Sequence, residues 1–507
     1  MHKRRSGILL PMFSLPSRYG IGCIDQEAYR FVDFLHDAGQ SEWQMLPLGP
    51  TGYGDSPYQP LSAFALSPYY LGLDGLIECG ALTRRECDDA SLEGDDGRVD
   101  YGGQYRRRIP LLRLAYERLK NHKTDDYYEF LIKHPQIIEY ARFMAIKDKQ
   151  GGASWDLWPQ EIRRRDGAAL AAVDRELFEE IGFYCFLQYR LFGDFARLFA
   201  YAGERSVRII GDLPIYLPYD SADVWADPDL FALDGDLRPT AVAGCPPDGF
   251  SPKGQLWGNP LYRWDAHADR GYRWWISRIL AASELCDTLR IDHFRGFSSY
   301  YAIPYPAADA SLGRWERGPG EALFSALRAT GRSPDIIVED LGFVDDEVRR
   351  LVKGCGYPNM RVLEFAFDPR DDSAKSEHLP HNYPSECVAY FGTHDNETAA
   401  SWIDRLAPEE RALILAYLGG GSGDDEAMRR ALIALLLRSP AERCILTLQD
   451  WLGLDDGARI NTPSTAAGNW SWRLRRDQLS PALAETILSE CVRFGRVDRE
   501  EKEKEER

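Results

Sequence analysis

Three carboxylate-rich motifs, each at the end of an apolar run, are the parts of this sequence best suited to acid–base chemistry. They are centred on Asp292, Glu339 and Asp395. A lone carboxylate after a strand is more often a helix cap or a surface residue than a catalyst. Three such motifs in succession fit glycoside chemistry, because that reaction needs a nucleophile and an acid/base flanking one bond, with further groups that grip the sugar hydroxyls.

The neighbours of the first two carboxylates predict different protonation states. Asp292 stands between Arg290 and Arg295, and nearby positive charge favours the ionised form that a nucleophile needs. Glu339 follows the apolar run Ile-Ile-Val, and burial at the end of such a strand would raise its pKa, as a general acid near neutral pH requires. A retaining pair of this kind should have its carboxyl groups about 5 to 5.5 Å apart.

Short apolar runs along the chain predict an α/β fold, the (β/α)8 TIM barrel, in which the active site lies where the strands end. Helical periodicity in residues 27–38, 183–200 and 272–285 supplies the alternating strand–helix pattern of a parallel sheet. The runs that we assign to strands are residues 7–15, 42–48, 207–213, 288–293, 335–340, 361–367, 387–394 and 443–448.

Two gaps in this pattern are too long for simple crossovers. After the second predicted strand, residues 111–119 and 127–144 have the periodicity of amphipathic helices, so we place a helical insertion at about residues 75–170. After the third, residues 218–265 are rich in Pro, Gly, Asp and Trp, which predicts an irregular loop subdomain over the active site. We interpret residues 1–507 as a single catalytic barrel domain that carries these insertions.

Composition and charge favour a folded enzyme that does not bind nucleic acid. The formal net charge of -18 opposes binding by neutralisation of phosphates. The ten cysteines are scattered without a Cys-x-x-Cys pair, which indicates reduced thiols rather than a zinc site or a disulfide framework. Pro11 interrupts the short apolar run near the N-terminus, and no stretch is long enough to span a bilayer. We therefore expect a cytoplasmic protein without a membrane segment.

Several longer stretches resemble the amylomaltase, or disproportionating-enzyme, family of the α-amylase clan over nearly the whole chain. The most specific are Trp-Gln-Met-Leu-Pro-Leu-Gly-Pro-Thr-Gly at residues 43–52 and Gly-Gln-Leu-Trp-Gly-Asn-Pro at residues 254–260. The resemblance implies a retaining 4-α-glucanotransferase that needs no metal and no cofactor. The sequence also shows no separate C-terminal β-sandwich of the kind that many relatives in the clan carry, which supports this resemblance. The other matching stretches are residues 56–58, 211–216, 246–248, 461–463 and 469–470, together with the three carboxylate motifs.

Carried over position by position, the resemblance makes Asp292 the nucleophile, Glu339 the general acid/base and Asp395 the stabiliser of the distorted sugar. The partners that it implies are maltooligosaccharides and other α-1,4-glucans, with no nucleic acid and no membrane, and with the protein as a monomer or weak homodimer. The substrate-binding residues that it implies are Tyr58, Asp212, Asp248, Phe250, Gln255, Trp257, Arg290, His293, His394 and Asn461.

Two other functions stay open at this point. An α-glucan hydrolase of the same clan would share the barrel and the three carboxylates, so only its products from maltotriose would separate it from a transferase. A non-catalytic glucan-binding protein would keep the groove without turnover. The intact carboxylates at 292, 339 and 395 argue against that second alternative.

Overall fold

The computed structural model describes residues 4–95, 97–247, 252–367, 375–421, 423–465 and 467–497. The strands are β1 (Arg5–Leu9), β2 (Glu42–Gln44), β3 (Arg208–Leu213), β4 (Ala241–Cys245), β5 (Gln255–Pro260), β6 (Thr288–Ile291), β7 (Ser299–Pro304), β8 (Arg314–Arg317), β9 (Asp335–Val338), β10 (Asn359–Val362), β11 (Cys387–Tyr390) and β12 (Arg443–Thr447). The helices are α1 (Gln26–Asp37), α2 (Leu73–Glu78), α3 (Arg84–Asp89), α4 (Tyr101–Leu119), α5 (Asp125–Lys133), α6 (Pro135–Lys149), α7 (Gln160–Arg163), α8 (Gly167–Glu176), α9 (Phe178–Glu204), α10 (Ala222–Ala226), α11 (Trp264–Asp269), α12 (Arg273–Ser283), α13 (Glu321–Ala329), α14 (Asp346–Cys355), α15 (Ala399–Asp404), α16 (Pro408–Leu418), α17 (Asp425–Arg438), α18 (Leu448–Leu452) and α19 (Pro481–Arg493).

A closed parallel barrel forms the centre of the molecule, with the strand order β1-β12-β11-β10-β9-β6-β3-β2. Every barrel strand overlaps one of the predicted apolar runs, which confirms the (β/α)8 fold. Strands such as β11 and β12 are buried at every position. Burial on both faces explains why the strands read as continuous apolar runs rather than as alternating patterns.

The predicted runs extend past the strands at their carboxyl ends, where the polar motifs lie. β6 ends at Ile291, directly before Asp292, and β9 ends at Val338, directly before Glu339. The backbone N–H of Asp292 still donates to the Leu213 carbonyl, so the motif begins in strand-like geometry. The carboxylates therefore stand at the edge of the barrel where the active site of this fold lies.

Helices occupy the long gap after β2. Residues 127–144, predicted as one helix, form two, because α5 ends at Lys133 and Pro135 begins α6. Proline lacks an N–H and disfavours a helical residue before it, so it starts a helix rather than continuing one. α6 packs along α9 beside the barrel. In the described part of the chain, no helix has both the length and the apolar character to cross a bilayer.

A second sheet stands next to the barrel and corrects the prediction for residues 218–265. That segment contains α10, β4 and β5 rather than only irregular loop. β4 and β5 join β7 and β8 in an antiparallel sheet with the order β5-β4-β7-β8. The prediction is wrong because β4 pairs with β7, which lies far along the chain, and short strands with distant partners leave little periodicity in sequence.

Candidate active site

A cleft of about 840 Å³ opens at the carboxyl ends of the barrel strands. The side chains of Asp292, Glu339 and Asp395 all line it. These residues follow three different barrel strands, β6, β9 and β11. Folding thus brings three carboxyl groups that are distant in sequence around one cavity of a size suited to a small ligand.

Asp292 and Glu339 form an adjacent pair. They follow neighbouring strands, in which Ile291 is registered with Val338, so their side chains lie side by side. Asp292 Oδ1 and Glu339 Oε2 lie 3.4 Å and 2.7 Å from the same nitrogen, Nη2 of Arg290. Inverting glycosidases hold their carboxyl groups about 6.5 to 9.5 Å apart to admit a water molecule. Two oxygens that share one nitrogen in this way are closer together than the inverting spacing.

Arg290 lies beneath this pair and is almost completely buried. Its Nη1 donates to Asp212 Oδ2 at 2.5 Å, and its Nη2 donates to Glu339 Oε2 at 2.7 Å. The same Nη2 lies farther from Asp292 Oδ1, at 3.4 Å. The backbone N–H of His293, at a φ of +45° in the left-handed region, also donates to Glu339 Oε2. Two donors therefore converge on Glu339.

The surroundings shift the pKa values of the two carboxyl groups in opposite directions. Burial opposes ionisation of Glu339, but the Arg290 guanidinium and the His293 N–H outweigh burial and lower the pKa of Glu339 to about 2. Burial and the adjacent Glu339 carboxylate raise the pKa of Asp292 well above its usual value. These directions are the reverse of those expected from the sequence, because Arg290 contacts Glu339 more closely than Asp292.

Asp212 lies below the cleft and does not line it. Its side chain has 0% exposure, and its Oδ2 accepts hydrogen bonds from Tyr58 Oη at 2.6 Å and from Arg290. Burial raises the pKa of Tyr58 well above its usual value, so its hydroxyl remains a donor. Neither Asp212 nor Arg290, both predicted to bind substrate, lines the cleft: Asp212 faces the barrel interior, where it holds Tyr58 and Arg290.

Aromatic rings form the walls of the cleft. Tyr58 stacks on the imidazole of His394, with centroids 4.9 Å apart and an angle of 12°. Trp257 meets His293 edge to face at 4.9 Å, and its Nε1 donates to Gln255 Oε1. All five of these side chains line the cleft, as predicted for substrate-binding residues. Ring faces of this kind can pack against the apolar faces of sugars.

β5 supplies one of these walls. Gln255, Trp257 and Asn259 line the cleft, whereas Leu256 between them is 40% exposed and points away. The alternation follows the two-residue period of a strand. A β-bulge interrupts the pairing with β4 here, and Gly258 within it has a φ of +81°, which favours glycine.

Asp395 follows β11 and is held by the segment after α18. The amide Nδ2 of Asn461 donates to Asp395 Oδ1 at 2.7 Å. Arg459 donates to the backbone carbonyls of Asp395 and Asn461. The carboxyl group of Asp395 is nearly half exposed, whereas those of Asp292 and Glu339 are mostly buried. Asn461 thus contacts both the cavity and the third carboxylate.

Two predicted residues, Asp248 and Phe250, lie outside the described part of the chain. The cleft also contains residues that the sequence analysis did not assign to the site. Trp470 lies 5.7 Å from the Tyr58 ring, and its neighbour Asn469 also lines the cleft. Their Asn-Trp motif resembles the family pattern and could have revealed them. Tyr53 lies fully exposed at the margin of the cleft. The sequence gives no motif for it, although it directly follows the matching stretch at residues 43–52.

A parallel barrel with paired carboxyl groups in a ring-lined cleft at its strand ends defines a carbohydrate-active barrel enzyme. A family model described as 4-alpha-glucanotransferase matches residues 10–479. The chain belongs to the 4-alpha-glucanotransferase family and is an enzyme of the transferase class. The predicted family is confirmed.

Individual relatives agree over the full length. The 4-alpha-glucanotransferase of Streptococcus pneumoniae serotype 4 is 41% identical over 502 residues, which cover 98% of each chain. That of Thermus thermophilus is 43% identical over 488 residues, which cover 94% of this chain and 96% of the relative. The structure of amylomaltase from Streptococcus agalactiae in complex with acarbose has a TM-score of 0.94 at 37% identity and covers 98% of this chain and 100% of that one.

Proposed function

We propose that the cleft transfers segments of α-1,4-glucans between maltooligosaccharides by a retaining double displacement. The observation that carries this proposal is the adjacent pair of Asp292 and Glu339, which share the guanidinium of Arg290, in one cavity with Asp395. The names of the relatives support the reaction, and the acarbose complex of the Streptococcus agalactiae amylomaltase supports a saccharide as ligand.

In the first half of the reaction, a carboxylate oxygen of Asp292 attacks the anomeric carbon of the donor glucan. The bond from that carbon to the glycosidic oxygen breaks, and Glu339 gives its proton to the departing oxygen. One part of the glucan leaves with a free 4-hydroxyl group. The other part stays on Asp292 as a glycosyl ester with inverted configuration.

In the second half, the 4-hydroxyl group of an acceptor saccharide attacks the same anomeric carbon. The ionised Glu339 removes the hydroxyl proton, and the Asp292 carboxylate leaves. The second inversion restores the original configuration. Glu339 regains its proton and Asp292 its charge, so the enzyme returns to its starting state.

This cycle requires the shared proton to lie on Glu339 when the donor glucan is bound. Without substrate, the raised pKa of Asp292 and the lowered pKa of Glu339 favour the proton on Asp292 instead. We propose that a bound glycosidic oxygen near Glu339 and a sugar ring over Asp292 shift it, because protonation within a coupled pair is a property of the pair.

The remaining cleft residues bind the glucan in this proposal. Asp395, held by Asn461, stabilises the distorted sugar ring, and His293 and His394 bind sugar hydroxyls. Tyr58, Gln255 and Trp257 form the groove. Asp212 and Arg290 support it from below. Asp248 and Phe250 keep their assignment as groove residues because Asp248 ends one stretch that resembles the family pattern, residues 246–248, and Phe250 lies between it and another, residues 254–260.

The proposal extends to the state of the protein in the cell. None of the ten cysteines, all in the described part of the chain, forms a disulfide, which supports a reducing cytoplasm. We propose a monomer or weak homodimer in which the segments at about 75–170 and 218–265 are insertions of one catalytic domain. Its partners would be glucans rather than nucleic acid, because the net charge is -18.

Incubation with maltotriose tests the proposal directly. A transferase yields glucose together with maltopentaose and longer chains. Accumulation of glucose and maltose without longer chains would instead establish a hydrolase. Tight binding of maltotriose with no products would establish a glucan-binding protein without turnover.

A further inference from the structure

A buried carboxyl group, that of Glu364, lies behind the turn that carries Asp395. Glu364 follows β10, and its Oε1 is buried although part of the residue reaches the surface. Its Oε2 accepts a hydrogen bond from Asn396 Nδ2 at 2.8 Å. Glu364 itself does not line the cleft, so any effect on the reaction must pass through a neighbour.

That neighbour, Asn396, closes the turn at residues 393–396. Its Oδ1 accepts from both the backbone N–H and the hydroxyl group of Thr393, each at 2.9 Å. The Thr393 hydroxyl in turn accepts from the N–H of Asp395. His394 and Asp395, the two cleft residues of this turn, lie between the residues that these bonds join.

The amide of Asn396 can serve this turn in only one orientation. With Oδ1 facing Thr393, its NH2 group must face away from the turn and needs an acceptor there. Glu364 Oε2 supplies that acceptor. Without it, the amide would lose a buried partner, which favours rotation of the side chain and release of Thr393.

The surroundings indicate that Glu364 acts as a neutral group. Burial and the nearby Asp450 and Asp456 raise the pKa of Glu364 well above its usual value, whereas Asn396 and Arg459 act in the opposite direction. Gly392 packs against the same carboxyl group, where an added Cβ would meet Glu364 Oε1 at 2.5 Å. A neutral isostere such as glutamine should therefore fit this site.

We propose that Glu364 is a positioning residue for Asp395, acting through Asn396 and Thr393 to fix the turn that places Asp395 in the cleft. This inference rests on the proposed function, in which Asp395 contacts the reacting sugar. A rigid turn matters there because misplacement of a group near the reacting centre by about 1 Å can reduce turnover by about 100-fold.

The test compares Glu364→Gln, Glu364→Leu, Asn396→Ala and the double variant Glu364→Leu/Asn396→Ala. For each, kcat and KM for maltotriose and the thermal unfolding midpoint are measured. Asp194→Leu is the matched control, because Asp194 is a buried carboxylate on α9 that does not line the cleft. We expect this control to lower the unfolding midpoint without changing kcat.

We expect Glu364→Gln to keep kcat within about twofold, whereas Glu364→Leu and Asn396→Ala each lower kcat about tenfold with a smaller change in KM. The double variant should be no worse than Asn396→Ala, because both changes break the same chain of hydrogen bonds. Wild-type kcat in Glu364→Leu, equal losses in the Gln and Leu variants, or multiplied losses in the double variant would overturn the inference.

If Glu364→Leu does not fold, Asn396→Ala still tests the inference, because the Asn396 side chain is only half-buried and its loss should be tolerated. Wild-type kcat in Asn396→Ala would then overturn the inference. Failure of the proposed function is distinct from these results, because it would show in the wild-type protein as maltotriose that yields no longer chains.

Discussion

Tyr58 and Asp212 are joined by a hydrogen bond of 2.6 Å that links a ring of the cleft wall to a carboxylate below the cleft floor. The same carboxylate oxygen accepts from Arg290, which contacts Glu339. Asp212 therefore connects the position of a glucan-facing ring to the position of the paired carboxyl groups. The other oxygen of Asp212, Oδ1, has no hydrogen-bond partner among the described residues. The bonds from Tyr58 and Arg290 to Oδ2 are therefore the ones that offset the burial of this carboxyl group.

Tyr58→Phe should lower kcat/KM about tenfold, because a hydrogen bond to a charged group is worth about 1.5 to 3 kcal/mol and the ring remains. Steady-state kinetics with maltotriose measure the effect. The matched variant is Tyr128→Phe on α5, an exposed tyrosine that does not line the cleft, which should change kcat/KM by less than about twofold because exposed polar changes have small effects. Equal effects in both variants would contradict a specific role for the bond to Asp212.

Glu339→Gln should lower kcat by about 10²- to 10⁴-fold, because glutamine cannot exchange a proton with the glycosidic oxygen. Binding of maltotriose should persist, since the groove is intact, and titration calorimetry measures it. Glu347→Gln on the exposed face of α14 is the control and should retain wild-type kcat. Full turnover in Glu339→Gln would exclude the proposed acid/base.

Arg290→Lys should move the acidic limb of the kcat/KM profile to higher pH. Arg290 contributes to holding the pKa of Glu339 at about 2, so the pair takes up its second, inactivating proton only in strong acid. Lysine cannot contact Asp212 and Glu339 with two separate nitrogens, so the pKa of Glu339 should rise. A profile measured from pH 3 to pH 9 tests this expectation. An unshifted acidic limb together with reduced kcat would mean that Arg290 only orients the pair.

Asp25→Asn should gain stability relative to the wild type as the pH rises. Burial raises the pKa of Asp25 to about 6 from 3.8. Since the folded pKa lies above the unfolded value, the stabilising contribution of protonated Asp25 is present below pH 4 and is lost as pH rises through 6. Between these two limits the wild type loses a free energy of unfolding on the order of 3 kcal/mol that Asp25→Asn keeps.

Thermal unfolding at pH 4 and pH 8 measures this change. Asp89→Asn, an exposed carboxylate at the end of α3, is the control and should show the same pH dependence as the wild type. Parallel curves for Asp25→Asn and the wild type would show that Asp25 is ionised in the folded protein.

The barrel was predictable because its strands are buried on both faces and leave apolar runs that end in polar motifs. The grouping of Asp292, Glu339 and Asp395 was predictable because the carboxyl ends of all strands of a parallel barrel lie at the same end of the barrel. The second sheet was not predictable, because β4 finds its partner β7 only in three dimensions. The opposite pKa shifts of Asp292 and Glu339 depend on which carboxylate Arg290 contacts more closely, and sequence spacing does not fix the direction of a side chain.

The burial of Asp212 escaped prediction for a related reason. Its motif at residues 211–216 marks the end of a strand, but not which side of the barrel wall the side chain faces. Trp470 shows the opposite case. Its motif resembled the family pattern, and its contact with Tyr58 explains why a tryptophan stands there.

The bulge at Gly258 sets the direction in which β5 presents Trp257 to the cleft. A Cβ at Gly258 would meet no heavy atom within 4 Å, so alanine there would be disfavoured only by the left-handed backbone. The position of one aromatic wall of the cleft therefore depends on the backbone conformation of a single glycine as well as on the side chains that face the cavity.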